Sequence, residues 1–286
     1  MNKTSTACVQ YARDYEHGGP TKKASVACIQ FAPVTNDKAA NIRKMGSWIE
    51  SVKAEHPFVD LILFPELAIN GYDATKEEFR AMAETPEHGD ALEAMKIMAR
   101  ICRTYIAYGY AEDGGEDMYN SMIMIGRDGE VVENYRKIHP FADEKKWCVA
   151  GEEWKVAETD FGKVGMMICY DTSFPEAAGT LARMGAEMLA ISTNWEDPHL
   201  YDWDLVTAAR AFDNSLHVVS SNRVGRDRIL SFSGHSRILS PMGRPICELM
   251  EPEEGYIYAE LDLEETNRLR SGYYTSIRDR RPNTYK

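Results

Sequence analysis

The chain has 286 residues, 44% of them hydrophobic and 27% charged, ordinary globular values that exclude collagen-like, disordered and coiled-coil classes. Thirty-three Lys and Arg against 45 Asp and Glu leave a net charge of −12, the opposite of the basic surface that a nucleic-acid or anionic-membrane binder needs. A chain this long buries roughly three quarters of its unfolded surface, so it needs no disulfide or metal staple.

Residues 1–22 are polar and contain a Gly-Gly-Pro break at Gly18–Pro20. They read as an N-terminal extension: a flexible arm, an edge strand or part of a subunit contact. Ala24–Phe31 predicts a strand. Asp37–Glu55 predicts a helix, with Ile42, Met45, Trp48, Ile49 and Val52 at helical spacing. Val59–Phe64 is a short apolar run fit for a buried strand, closed by Pro65. Helical patterns follow at Lys76–Ala83 and Ala91–Arg103, strands at Tyr105–Tyr110 and Tyr119–Ile125, a turn at Arg127–Glu130 and a strand at Val131–Tyr135. The alternation then repeats as strand Lys163–Cys169, helix Phe174–Met184, strand Met188–Thr193, helix Trp203–Asn214 and strand His217–Asn222. Further strands are expected at Ser236–Leu239 and Tyr256–Leu261. Strands alternating with helices imply an α/β architecture with a mixed sheet, and with no linker in sight residues 23–286 read as one domain.

No apolar run approaches the ~20 residues of a membrane span, and the N-terminus lacks a secretory h-region. The six cysteines, Cys8, Cys28, Cys102, Cys148, Cys169 and Cys247, form no C-x-x-C pair. Reduced thiols and a cytoplasmic location are therefore expected. Cys148 stands out as a thiol open to oxidation, Cys8 falls in the extension and reads as a free thiol, and Cys28, Cys102 and Cys247 read as small hydrophobes.

The most informative segment is Val164-Gly-Met-Met-Ile-Cys-Tyr-Asp-Thr-Ser-Phe-Pro-Glu176. It delivers Cys169 from an apolar strand toward a helix opening near Phe174 or Pro175, where Pro suits the first turn. The carboxyl ends of strands are where open α/β sheets place their sites, and nearby N–H dipoles activate a thiol. Phe64-Pro-Glu-Leu-Ala-Ile-Asn-Gly-Tyr72 brings Glu66 to a strand end in the same way, and Asn134-Tyr-Arg-Lys-Ile-His-Pro-Phe141 brings Lys137. Singly, each is equally readable as a structural or solvated residue. Together at one sheet edge they would be a base, an electrostatic stabiliser and a nucleophile.

These three motifs, in this order, resemble the nitrilase superfamily of carbon–nitrogen hydrolases. Ser192-Thr-Asn194-Trp195, Arg210-Ala-Phe-Asp-Asn214 and Ser233–Gly243 extend the likeness from about Ala24 to beyond Gly243. The resemblance implies a four-layer αββα sandwich with mixed central sheets that pairs through one helical face into homodimers. It puts the family's Glu-Lys-Cys triad on Glu66, Lys137 and Cys169. A second glutamate falls on Glu144, with Asp143 as its rival. Asp213 replaces the glutamate of the family's Arg-Ala-x-Glu-Asn motif, and Ala150-Gly151 replaces its Pro-Gly turn.

The implied chemistry is hydrolysis of a small carboxamide through an acyl-thioester. Glu66 is the general base, while Lys137 and the Tyr170 backbone N–H hold the oxyanion. Tyr170-Asp171 after the nucleophile looks more like amide-cleaving members than the Trp-Glu of nitrile-cleaving ones. Amidase thus leads, N-carbamoyl hydrolase follows and nitrilase comes third. An acyltransferase would share every residue, and a non-catalytic binding module would be expected to have lost one. Tyr72, Phe141, Trp147, Phe174 and Trp195, with Asn194, are the substrate-binding candidates, although any single aromatic more often belongs to the core. Arg223, Arg226 and Arg228 either greet a substrate carboxylate or form a solvated turn. His199 and His235 are candidates to face the site, and His139 would matter in a Cys-His scheme. No metal or nucleotide cofactor is expected, because no histidine or cysteine cluster, Walker loop or G-x-G-x-x-G is present.

Overall fold

A computed structural model describes residues 22–272 and 274–284. The expected extension over residues 1–22, including Cys8, therefore lies outside the described residues apart from Lys22, which pairs with Glu187 at 2.7 Å.

The first half supplies β1 (Lys23–Gln30), β2 (Leu61–Leu63), β3 (Tyr105–Gly114), β4 (Asp117–Ile125) and β5 (Val131–Arg136). Between them lie α1 (Lys38–Glu55), α2 (Lys76–Met82) and α3 (Asp90–Cys102). The second half supplies β6 (Val156–Glu158), β7 (Lys163–Ile168), β8 (Met188–Thr193) and β9 (His217–Asn222), with α4 (Pro175–Arg183) and α5 (Leu200–Asn214). A hairpin of β10 (Val224–Arg226) and β11 (Ser231–Ser233) precedes β12 (Ser236–Leu239), β13 (Pro245–Leu249) and β14 (Gly255–Asp262). Two short helices, α6 (Glu264–Ser271) and α7 (Ser276–Asp279), follow.

Two six-stranded sheets result, ordered β14-β1-β2-β3-β4-β5 and β13-β12-β9-β8-β7-β6. Alternation along each strand explains the layering. Val26 and Cys28 of β1 share the core between the sheets with Val164, Met166 and Ile168 of β7. Ala27 and Ile29 point the other way, onto Met45, Ile49 and Val52 of α1 and Leu92 and Met95 of α3. On the far side, Met167, Leu189, Ile191 and Val218 meet Ala177, Leu181, Trp203 and Ala211 of α4 and α5. The layers are thus helix, sheet, sheet, helix, the αββα sandwich that the motifs imply. Because strands are buried on both faces, they read as continuous apolar runs.

The expected helices are found within a few residues of their bounds. Asp37 caps α1 by accepting from Ala40 N–H at 2.9 Å, and Pro175 opens α4. Two differences have local causes. β3 runs to Gly114 rather than stopping at Tyr110, because Glu112, which looks like a loop residue, is buried on Arg136, Ser121 and Asn134. β10, β11 and β13 carry too little alternation to stand out. Among the described residues no helix is long and apolar enough to cross a membrane.

The topology aims the parallel strands at one rim. In the first sheet β1, β2 and β3 are parallel, and two antiparallel steps through β4 bring β5 into the same direction. In the second, β7, β8 and β9 are parallel. A parallel bridge between Phe31 and Arg223, just past the ends of β1 and β9, shows that both sheets point their carboxyl ends to the same side.

Candidate active site

Glu66, Lys137 and Cys169 each follow such a strand end. The Glu66 loop hangs from β3: Phe64 N–H donates to Ala107 O at 2.8 Å, Gly109 N–H to Pro65 O at 3.0 Å and Ala68 N–H to Gly109 O at 2.8 Å. A Cβ on Gly109 would come within 2.5 Å of the Glu66 Cα, so only glycine lets this loop lie flat on the strand. Lys137 N–H donates to Asn120 O on β4 at 2.8 Å, and Lys137 O accepts from Gly151 N–H at 2.8 Å. Gly151 touches the Arg136 carbonyl so closely that a side chain there would collide with it. This gives the Ala150-Gly151 turn a physical reason for its glycine. Cys169 opens a single 3-10 turn over Cys169–Ser173 with φ of +44°. A left-handed residue other than glycine carries roughly 1–2 kcal/mol of strain, which a structure retains where geometry matters.

Lys137 Nζ is the hub. It donates to Glu66 Oε1 at 2.7 Å and to Glu144 Oε1 at 2.8 Å, and all three side chains are buried. Asn120 Nδ2 donates to Glu66 Oε1 at 2.7 Å, and Asn194 N–H donates to Glu66 Oε2 at 2.9 Å. Burial pushes the Glu66 carboxyl above its ordinary range, with Lys137 pulling it back and Glu144 pushing it up. For Lys137 burial acts downward, but Glu144, Glu66 and the neighbouring Cys169 outweigh it and hold the ammonium well above its ordinary value. The Cys169 thiol is raised by burial first and then by Glu66, against the pull of Lys137. A thiol raised in this way stays protonated until a base takes its proton.

Glu144 and Asp143 separate cleanly. The Glu144 side chain is 3% exposed and bound to Lys137, whereas that of Asp143 is 83% exposed and pairs with Lys146. Tyr72 donates its hydroxyl to Glu144 Oε1 at 2.8 Å. Asn194 also donates Nδ2 to Glu66 O at 2.9 Å, while its buried Oδ1 has no partner among the described protein atoms. Phe141, Tyr170 and Phe174 form an edge-to-face chain of half-buried rings beside Cys169. Trp195 is half-buried, its backbone N–H on Asn222 Oδ1, its indole N–H on His199 O and its ring tilted against Trp203.

Several expected positions fall elsewhere. The Trp147 ring stacks on Phe79 at 4.0 Å in a cluster with Leu67 and Met118, which makes it core. Cys148 is buried in that same cluster, not exposed, and burial pushes its thiol up to about 12. His199 is exposed beside Asp202, and His235 is buried between Asp204 and Glu248, so neither faces the rim. The arginine cluster splits: Arg223 is buried on Asp227 at 2.7 Å, Arg226 is exposed, and Arg228 pairs with Glu78. His139 contacts Asp171 rather than Cys169. Asn120 was not singled out by sequence reasoning, because its partners lie 54 and 24 residues away. The available signal was an amide inside a strand, where asparagine is depleted.

A carbon–nitrogen hydrolase family model matches residues 25–271. A probable nitrilase from Schizosaccharomyces pombe is 43% identical over 267 residues, covering 92% of this chain and 98% of that protein. The 2-oxoglutaramate amidase of Bacillus subtilis is 33% identical, covering 87% of this chain and 94% of its own. Among solved structures, a carbon–nitrogen hydrolase from Helicobacter pylori superposes with a TM-score of 0.87 at 24% identity, covering 93% of this chain and 97% of that one.

Proposed function

The chain belongs to the carbon–nitrogen hydrolase family, and on that premise we propose that it hydrolyses a small carboxamide to a carboxylic acid and ammonia through a Cys169 thioester. The observation that carries this reading is the buried Lys137 ammonium held between Glu66 and Glu144 in the electrostatic reach of Cys169. Glu66 takes the thiol proton as sulfur adds to the amide carbonyl. The oxyanion forms against Lys137 and the Tyr170 N–H. Protonated Glu66 returns the proton to the nitrogen, the C–N bond breaks and ammonia leaves. Water then gives a proton to Glu66 and adds to the thioester, with Glu144 helping to position it. The C–S bond breaks and sulfur recovers its proton.

Asn194 Oδ1, buried and unpaired, is suited to accept from the substrate amide N–H. Tyr72, Phe141, Phe174 and Trp195 serve as walls around the acyl group. Tyr72 also steadies Glu144, because burial and the nearby carboxylates keep its phenol well above its ordinary ionisation range.

The test is ammonia release from simple amides, monoamides of dicarboxylic acids, N-carbamoyl amines and matched nitriles, with Cys169→Ala as the control and intact mass reading any adduct. Cys169-dependent turnover of an amide is expected. Preference for the carbamoyl or nitrile arm would replace the substrate assignment, and an adduct that stalls until an amine is added would indicate acyl transfer. Silence from folded protein in every arm would leave a substrate outside this panel or a binding role.

The same reading includes pairing of two copies through α5. Tyr201, Leu205 and Phe212 project an exposed apolar stripe at helical spacing from that helix. Leu205→Glu should convert a dimer to a monomer in sedimentation. A wild type that sediments as a monomer would remove the pairing and leave the chemistry standing.

A further inference from the structure

Lys137 and Cys169 sit on different sheets, and the core between those sheets is apolar. Apolar contact is non-directional. It holds the sheets together without fixing the lysine segment against the cysteine turn to the fraction of an ångström that an oxyanion site needs, and the inter-sheet bonds of Asn194 tie down Glu66 rather than that segment. A buried polar tie crosses this gap beside the nucleophile. Asp171, completely buried, accepts from Ile168 N–H at 3.0 Å and from the Tyr135 hydroxyl at 2.7 Å on Oδ2. On Oδ1 it accepts from His139 N–H at 3.1 Å, and the His139 Nδ1 lies 2.8 Å from the same oxygen. Tyr135 and His139 lie two residues before and two residues after Lys137. Ile168 immediately precedes Cys169, whose backbone is held in the left-handed region.

We infer that Asp171 is a positioning residue that sets the distance and direction between the Cys169 sulfur and the Lys137 ammonium. One carboxylate grips the lysine segment on both sides and the residue before the nucleophile on the other sheet. Hydrogen bonds to an ionised acceptor are shorter and stronger than neutral ones, and their geometry is directional where the core's is not. The His139 ring is itself fixed, stacked on Phe174 at 3.7 Å and 10°. Phe174 N–H donates to Asp171 O at 3.1 Å, so the turn after Cys169 closes on the same residue. The inference rests on the proposed function only for the roles of Cys169 and Lys137.

Two reagents separate placement of the nucleophile from placement of the oxyanion donor, and neither requires the physiological amide. Iodoacetamide reacts by displacement: sulfur forms a bond to the methylene carbon, iodide leaves, and Glu66 takes the thiol proton without any oxyanion. p-Nitrophenyl acetate reacts by addition: sulfur joins the ester carbonyl, an oxyanion forms, and p-nitrophenolate is expelled in a measurable burst. Asp171→Asn puts an amide N–H where a carboxylate oxygen accepted two bonds. Its burst rate is expected to fall roughly 10- to 100-fold, the scale of a small misplacement, while its rate of alkylation by iodoacetamide stays near that of wild type. Tyr135→Phe should lower the burst less, and adding it to Asp171→Asn should cost less than its single effect, because both remove one bond.

If Asp171→Asn does not fold, Tyr135→Phe and His139→Ala carry the same comparison. Equal losses in burst and alkylation would overturn the inference, since they indicate general disruption. So would an unchanged burst in folded variants, or a wild type without a Cys169-dependent burst. A normal ester burst with no amide turned over would instead sink the amide assignment alone.

Discussion

Lys137→Met is expected to lower turnover at least ~10²–10³-fold and to destabilise the fold by about 3–5 kcal/mol, the scale of breaking a buried ion pair. The catalytic loss follows from removing a cationic side chain bound to both carboxylates beside Cys169. The stability loss has a different origin. Without the ammonium, Glu66 and Glu144 face each other in a buried site, and at least one of them is expected to take up a proton. The double variant Lys137→Met with Glu144→Gln should therefore recover part of the lost stability and none of the lost activity. Urea unfolding beside ammonia release reads both quantities. A Lys137→Met protein as stable as wild type would mean that the site is solvated, and retained turnover would take the oxyanion role from Lys137.

Glu66→Gln should lower the rate of iodoacetamide alkylation of Cys169 at neutral pH by at least ~10²-fold, the low end of general-base catalysis. The sign of the pH dependence follows from two upward shifts. The wild-type rate should rise as Glu66 ionises, at a pH above the ordinary carboxylate value of 4.5 because burial raises that group. It should then level off, since the base rather than free thiolate controls the reaction. In Glu66→Gln only direct ionisation of the thiol remains, and burial has moved that above its ordinary value of 9.0. The limb should thus migrate from the ionisation of Glu66 to beyond pH 9. An unchanged limb in the variant would show that another group accepts the proton.

The positions that sequence reasoning reached are those whose local pattern carries their meaning. Glu66 and Cys169 each close an apolar run, and such a run between turn residues is a buried strand whatever surrounds it, whereas Lys137 follows the mixed strand Val131–Arg136. Glu144 was legible only as one of two adjacent acids. Its choice over Asp143 depends on which way a one-turn helix faces, since Glu144 accepts from Lys137 and from Phe141 N–H at 3.1 Å. Trp147 and Cys148 were misplaced for the related reason that sequence nearness to a site residue does not say which side of a turn a ring occupies. The arginines after β9 show the same limit: Arg223 is drawn inside by Asp227, four residues on, which also accepts from Tyr72 N–H at 3.1 Å and Asp73 N–H at 3.0 Å.

By itself the sequence determined the alternation of elements, the apolar faces that make two sheets and their helices stack, and the strand ends that carry an acid, a lysine and a thiol. These are properties of contiguous residues, where periodicity and side-chain chemistry act over a few positions. Only the tertiary structure decided that β2, β5 and β7 open onto one rim, that Asn120 and Asn194 hold Glu66, and that Asp171 ties β5 to the nucleophile turn. Those contacts join residues 36 to 128 positions apart. Their partners are chosen by the packing of two sheets, and no local pattern records which distant hydrogen-bond donor a buried carboxylate will meet.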